Sequence, residues 1–261
     1  MRMKVIDLYN KLSEIIPSSL SCKWDKDGLE SCPEPEREVK RILIALDTTN
    51  EVIDQAVASG ADVIISHHPL FFGGLGNINA LTFDGARAVR LAKANIATMS
   101  FHTRLDALEG GVNDILAEKL GLKNVEIIGD EKICRVGELD AEIDVLDFAK
   151  AVKDKLSHGD GERAAAVAIC RGGKKVKRVA VLGGSGGDDI KVAALAGADT
   201  YVTGELKYHE RLSAADFGIN LICAGHFFTE YPVCAFLEKT VKEICPDASA
   251  EVVFSNKIIE F

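Results

Sequence analysis

Residues 41–66 read RILIALDTTNEVIDQAVASGADVIIS, residues 178–203 read RVAVLGGSGGDDIKVAALAGADTYVT, and the two align without gaps at an offset of 137. Arg41 falls on Arg178, and Gly60-Ala61-Asp62 falls on Gly197-Ala198-Asp199. Each copy is an apolar run, a turn, a helical pattern, a glycine and a second apolar run. That order is a β-α-β unit, whose strands pair in parallel through a right-handed crossover. Gly60 and Gly197 stand where a helix ends on a left-handed residue. The repeat predicts an α/β chain, a three-layer α/β/α fold built from two duplicated, intertwined β-α-β halves.

A second pair of segments follows the first. Residues 95–106 read NIATMSFHTRLD and residues 219–230 read INLICAGHFFTE, each an apolar strand and then His-x-x-x-acid. His102 matches His226 and Asp106 matches Glu230, now at an offset of 124. The second half therefore lacks about 13 residues of the first, a deficit that the loop 70–81 accounts for. The expected organisation is a first α/β half over 1–125 and, over 126–261, a linking region with the second half. Within 125–177 a helical stretch spans 143–156 and an apolar run spans 164–170. Residues 230–244 read as one long helix and 251–254 as a closing strand.

A chain of 261 residues with 47% hydrophobic and 27% charged residues has material for one large or two interlocked domains without staples. A net charge of −9 argues against a general nucleic-acid surface. The one basic run, 174–178, reads as a solvated turn before a strand. No apolar run approaches the roughly 18 residues that span a bilayer. The opening segment carries Val5, Leu8, Tyr9, Leu12, Ile15 and Ile16 at helical spacing between charges, the pattern of an amphipathic helix and not of a signal peptide. The seven cysteines are an odd set with no CxxC pair, which argues against a zinc ribbon and against a disulfide framework. Cys170 and Cys223 read as small buried hydrophobes, and the expected compartment is a reducing cytoplasm.

The chemistry gathers at strand ends. Of six histidines, His67 and His68 follow ADVIIS, His102 follows IATMSF and His226 follows NLICAG. In a parallel sheet such points open onto one rim. A single histidine at a strand end is ordinarily a hydrogen-bonding residue. Four of them, two in His-x-x-x-acid frames, point instead to a shared metal site. One open catalytic zinc takes three protein ligands and a water. Here His67, His68, Asp106, His226 and Glu230 make five donors, with His102 beside them. Five donors with a bridging carboxylate, Asp106 or Glu230, suit two ions about 3.5–4 Å apart. Adjacent histidines that point different ways suit two ions better than one. The glycine-rich stretch 183–187 is read two ways, as a phosphate cradle of backbone N–H groups or as a tight turn. His209 is placed either leaning to the site or on the surface, and His158 in an exposed polar loop.

The segments SHHPLFF, FHTRLD, VTGELKYHE and AGHFFTE, with WDKDGLE and CRVGEL, resemble the GTP cyclohydrolase 1 type 2 homolog family, also called Ngg-interacting-factor-three-like proteins. The resemblance runs from Trp24 to Phe261. It implies an α/β fold with intertwined halves and a two-metal centre. On its pattern Glu230 contacts both ions, Asp106 and His68 complete one, and His67 and His226 the other. His102 stands beside the metals as a catalytic proton shuttle or a group that orients a ligand. The family also implies a ring-shaped homohexamer. Two positions depart from it: a common Trp-Asp-Asn reads Trp24-Asp25-Lys26, and a common Thr-Gly-Asp reads Thr203-Gly204-Glu205. Both bear on the substrate and not on the metals.

The expected function is metal-dependent hydrolysis of a nucleotide-like or phosphorylated small molecule, in a cytoplasmic oligomer with two divalent ions per chain. Mixed nitrogen and oxygen donors admit zinc, manganese, iron, cobalt or nickel. The competing expectation is a metal-stabilised binding or regulatory module without catalysis.

Overall fold

A computed structural model describes residues 2–157 and 165–258, so His158 lies outside the described residues. The chain opens with helix α1 (Val5–Ile15) and continues through β1 (Gly28–Ser31), β2 (Arg41–Ala45), α2 (Asn50–Ser59), β3 (Val63–Ser66), α3 (Phe83–Ala94), β4 (Ala97–Ser100) and α4 (Thr103–Ala107). Next come α5 (Val112–Leu120), β5 (Lys123–Ile128), β6 (Cys134–Ile143), α6 (Val145–Leu156), β7 (Ala168–Cys170), β8 (Val176–Ser185), α7 (Ile190–Leu195) and β9 (Thr200–Glu205). The last elements are α8 (Tyr208–Phe217), β10 (Asn220–Cys223), α9 (His226–Glu230), α10 (Val233–Ile244) and β11 (Ser249–Val252). Two mixed sheets result, in two compact units. Residues up to Leu105 together with Val233–Asn256 form the first unit, and Asp106–Pro232 the second.

The sheet of the first unit has the order β1-β4-β3-β2-β11. Its neighbours are parallel except β1, which runs antiparallel to β4. RILIA and VIIS are almost wholly apolar because strands covered on both faces have no side that prefers water. Leu43, Ala45 and Ile64 pack with Val52, Ile53 and Ala56 of α2 and with Leu91 of α3. Thr49 starts α2 by accepting the Val52 N–H at 3.2 Å. Gly60 stops it at φ 67°, a conformation glycine adopts without a Cβ clash. Asp62 then clamps the head of β2, its Oδ2 accepting the Lys40 and Arg41 N–H groups at 2.7 and 2.9 Å.

The sheet of the second unit has the order β5-β6-β8-β9-β10-β7. β8, β9 and β10 are parallel, and the outer strands antiparallel. Successive residues of β8 enter different apolar clusters. Val179 and Val181 join Leu116 of α5 and Phe148 and Val152 of α6, whereas Ala180 and Leu182 join Ala193 of α7 and Ala214 of α8. This period of two is that of a strand buried on both faces. The aligned repeat segments behave alike inside their own units. Ile42 pairs with Val63 in one, and Val179 with Thr200 in the other. Asp199 Oδ2 accepts the Lys177 and Arg178 N–H groups at 2.9 and 2.7 Å, as Asp62 does for β2.

Some elements depart from the sequence pattern. The helix expected over 230–244 is α10, which starts only at Val233: Glu230 ends the preceding α9, and Tyr231-Pro232 separates the two. Proline lacks the N–H that would carry a helix through. The closing strand is Ser249–Val252, two residues earlier than expected, paired in parallel with β2. The stretch after residue 125 contributes the end of β5 and all of β6 and β7 to the sheet of the second unit. Its strand β6 was hidden because Arg135, fully buried, stands where a strand would show an apolar residue. That guanidinium is held by Asp114 at 2.8 Å and by the Lys132 and Ala107 carbonyls. No helix among the described residues is long and apolar enough to cross a membrane.

Candidate metal centre

In the first unit the chain fixes its backbone tightly where β3 ends. The His68 N–H donates to the Leu46 carbonyl at 3.0 Å, and the Phe101 N–H to Ser66. The Ser66 hydroxyl donates to the His68 carbonyl at 2.8 Å. So pinned, the His67 and His68 rings lie 4.8 Å apart and inclined at 47°. His102 approaches both, at 5.3 and 5.6 Å. Each of the three offers one donor atom within 4.8 Å of the others. His67 and His68 are buried and His102 nearly so.

His102 is placed by the segment 24–28. Asp25 Oδ2 takes the His102 Nδ1 proton at 3.0 Å, the Thr103 N–H at 3.0 Å and the Thr103 hydroxyl at 2.6 Å. Asp27 takes the His102 N–H at 2.8 Å and binds the buried Arg104 guanidinium through both oxygens. Burial alone would push Asp25 up; the hydrogen bonds from His102 and Thr103 outweigh it and hold the carboxyl well below the usual carboxylate range.

In the second unit α9 brings two of the expected residues together. His226 and Glu230 are four apart on a helix, hence on one face, and His226 Nε2 lies 3.1 Å from Glu230 Oε2. Gly225 starts this helix at φ 83°. Thr229 fastens it to the sheet, its hydroxyl accepting the Gly184 N–H at 3.0 Å. Asp106, on α4, is buried; its main-chain carbonyl accepts from Asn113 Nδ2 at 3.3 Å, and Asn113 Oδ1 takes the Gly183 N–H at 2.8 Å.

The sequence profile described as Duf34/NIF3 (NGG1p interacting factor 3) matches residues 3–259. The chain belongs to the Duf34/NIF3 family. A Clostridium perfringens protein named GTP cyclohydrolase 1 type 2 homolog is 34% identical over 98% of this chain and 97% of its own length. A solved Bacillus cereus protein related to NIF3 aligns with a TM-score of 0.87 over 100% of this chain and 99% of that one; at 24% identity it speaks for the fold alone. Staphylococcus aureus protein SA1388 aligns with a TM-score of 0.85 at 25% identity, over 98% and 97% of the two chains.

The side chains of this Duf34/NIF3 member suit divalent ions. In all four strand-end histidines Nδ1 faces an acceptor: the Phe101 carbonyl for His67 at 3.0 Å, Asp47 for His68 at 2.8 Å, Asp25 for His102 at 3.0 Å and Glu205 for His226 at 3.1 Å. An acceptor there keeps the proton on Nδ1 and turns the Nε2 lone pair outward as the ligand atom, the usual arrangement behind metal-binding histidines. Asp106 and Glu230 add buried carboxylates, which proteins ordinarily bury only against a cation or strong donors.

The glycine stretch 183–187 serves the same pair. Its Gly183, Gly184 and Gly186 N–H groups already bind Asn113, Thr229 and Thr203. A Cβ on Gly184 would lie 3.0 Å from His226 Nε2 and crowd the Glu230 carboxylate, and one on Gly204 would lie 2.7 Å from the His226 Cα. The glycines admit close backbone approach behind His226 and Glu230; with those N–H groups engaged, the stretch is not built as a phosphate cradle. His209 is exposed on α8. Of the basic run, Lys174 and Lys175 are exposed just before β8, while Arg178 pairs with Glu126 and Glu138 and Lys177 donates to the Leu139 and Asp140 carbonyls.

Sequence reasoning missed Asp25, Asp47 and Glu205 as partners of the histidines. Two of them did leave a trace, since Asp25 lies in WDKDGLE and Glu205 in TGE.

Proposed function

We propose that this chain is a metal-dependent hydrolase of a nucleotide-like or phosphorylated small molecule, with two divalent ions held by His67, His68, Asp106, His226 and Glu230. The observation that carries the reading is the common engagement of Nδ1 in four histidines, which presents Nε2 as the ligand atom in His67, His68 and His226 and as the proton-transfer atom in His102. The five donors contain no cysteine, so zinc, manganese, iron, cobalt and nickel all remain compatible. Divalent ions bound there supply Lewis-acid polarisation and a water acidic enough to react near neutral pH. The chain's own contributions are separable. Asp47, the Phe101 carbonyl and Glu205 fix imidazole orientation. Asp25 stays anionic across the physiological range and accepts from His102 Nδ1, which orients the ring and keeps Nε2 for proton exchange. His102 is thus assigned the proton transfer.

The name of the Clostridium perfringens relative supports a nucleotide-like substrate. The same reading takes the two halves as copies of one β-α-β ancestor in a three-layer α/β/α arrangement. It places the protein in the cytoplasm as a homo-oligomer, a hexamer by family resemblance.

The test is a turnover screen of metal-loaded protein against nucleotides and phosphoesters, beside a His102→Asn variant. Expected is turnover of at least one class, lowered about 10²- to 10⁴-fold in the variant while metal content is unchanged. Bound metal with no turnover across the panel would sink the hydrolase and leave a metal-stabilised binding or regulatory module.

A further inference from the structure

The first unit exposes two large aromatic rings beside His102. Trp24 is 60% exposed and Phe72 62% exposed, though each is a side chain that folding ordinarily covers. Both meet His102 edge-on, Trp24 at 6.0 Å and 74°, Phe72 at 5.4 Å and 83°. Phe72 also lies 5.9 Å from the His68 ring. Their placement is built into the chain. Trp24 directly precedes Asp25, the partner of His102. Phe72 follows the Leu70 and Phe71 N–H groups, which donate to Glu30 Oε1 at 2.6 and 3.4 Å.

A cation completes the group. Lys26 Nζ lies 3.6 Å from the position a Cβ on Gly74 would take, which sets the ammonium against the loop that carries Phe72. Lys26 is exposed, and among the described residues its ammonium has no carboxylate partner. On a chain of net charge −9, an exposed ammonium set against the loop of Phe72 marks a local preference for an anion.

We propose that Trp24, Phe72 and Lys26 form a recognition edge beside His102 for a small anion carrying a flat aromatic ring, the chemistry of a nucleoside monophosphate. It rests on the hydrolase reading for the fate of the ligand, and not for its binding. The rings supply stacking surface, which tolerates any base because every base has a π-face. Lys26 supplies a point charge to the phosphate.

Trp24 is the single tryptophan of the chain, so its fluorescence reports directly on the edge. Full-length protein is titrated with GMP, AMP, guanosine and ribose 5-phosphate. Expected is saturable quenching by both nucleotides, weaker binding of guanosine, and no quenching by ribose 5-phosphate. Phe72→Ala should raise Kd for nucleotides and guanosine about tenfold. Lys26→Gln should raise Kd for the nucleotides and leave guanosine unchanged. Absence of saturable quenching at millimolar nucleotide, or affinities untouched by Phe72→Ala, would overturn the proposal. So would a blue-shifted Trp24 emission resistant to acrylamide, the mark of rings covered by a second copy. Hydrolysis of glycerol phosphate without ring-dependent binding would sink the edge and spare the hydrolase. Nucleotide binding without any turnover would do the reverse.

Discussion

Asp47 and Glu30 show how single carboxylates prepare the histidine cluster of the first unit. Asp47 accepts from His68 Nδ1, so Asp47→Ala should release the imidazole and weaken metal binding about 10- to 100-fold, measured by chelator competition. Asp47→Asn keeps an acceptor oxygen and should recover part of the loss; equal affinity in all three proteins would remove the orienting role. Glu30 ties down the loop after His68 and is pushed up to about 7, chiefly by burial and further by the Asp27 charge, against two backbone N–H bonds. Its folded pKa lies above the ordinary glutamate value of 4.5. The stability it contributes is therefore complete below that ordinary value and is lost as pH rises through about 7. Glu30→Gln keeps the accepting oxygen without the charge. Its thermal midpoint should exceed that of the wild type at pH 8, with the advantage gone by pH 5. An advantage that does not change with pH would show that Glu30 does not titrate in this window.

At the scale of elements, the backbone of β8 and the helix α9 depend on missing side chains. Gly184→Ala puts a Cβ against His226 and Glu230 at a φ of 68°. Metal affinity should fall by at least about tenfold, with circular dichroism unchanged. Gly197→Ala is the matched control, because its φ is 78° and a Cβ there meets nothing within 4 Å. It should cost about 1 kcal/mol and leave metal affinity alone. Equal losses in both variants would reduce the Gly184 effect to backbone strain. The β-α-β pattern is legible in the sequence because it is local: apolar runs, a capped helix and a glycine stop lie within about 25 residues of one another. Asp62 and Asp199 showed themselves only as matching letters, and their use as clamps on β2 and β8 needed the fold. The four histidines were legible because strand ends are. Their partners were not: Asp25 is 77 residues from His102, and Asp47 and Glu205 are each 21 from the rings they hold. Strand β6 was obscured for the opposite reason, a buried charge satisfied by distant acceptors in place of an apolar residue.

For the whole molecule, a metal that binds only the folded chain raises its stability by mass action. Ions at 100 times their Kd add about 2.7 kcal/mol, which for a chain of this size is a midpoint shift of about 5–10 °C. A chelator should therefore lower the melting midpoint by that order, and added divalent metal should restore it; a midpoint indifferent to both would place the metals outside the folding equilibrium. The most direct measurement is elemental analysis of purified wild type and Glu230→Ala. The expected result is about two divalent ions per wild-type chain, with most of that metal lost in the variant while the fold survives by circular dichroism. No bound metal in the wild type, after purification and again after reconstitution, would contradict the metal centre itself.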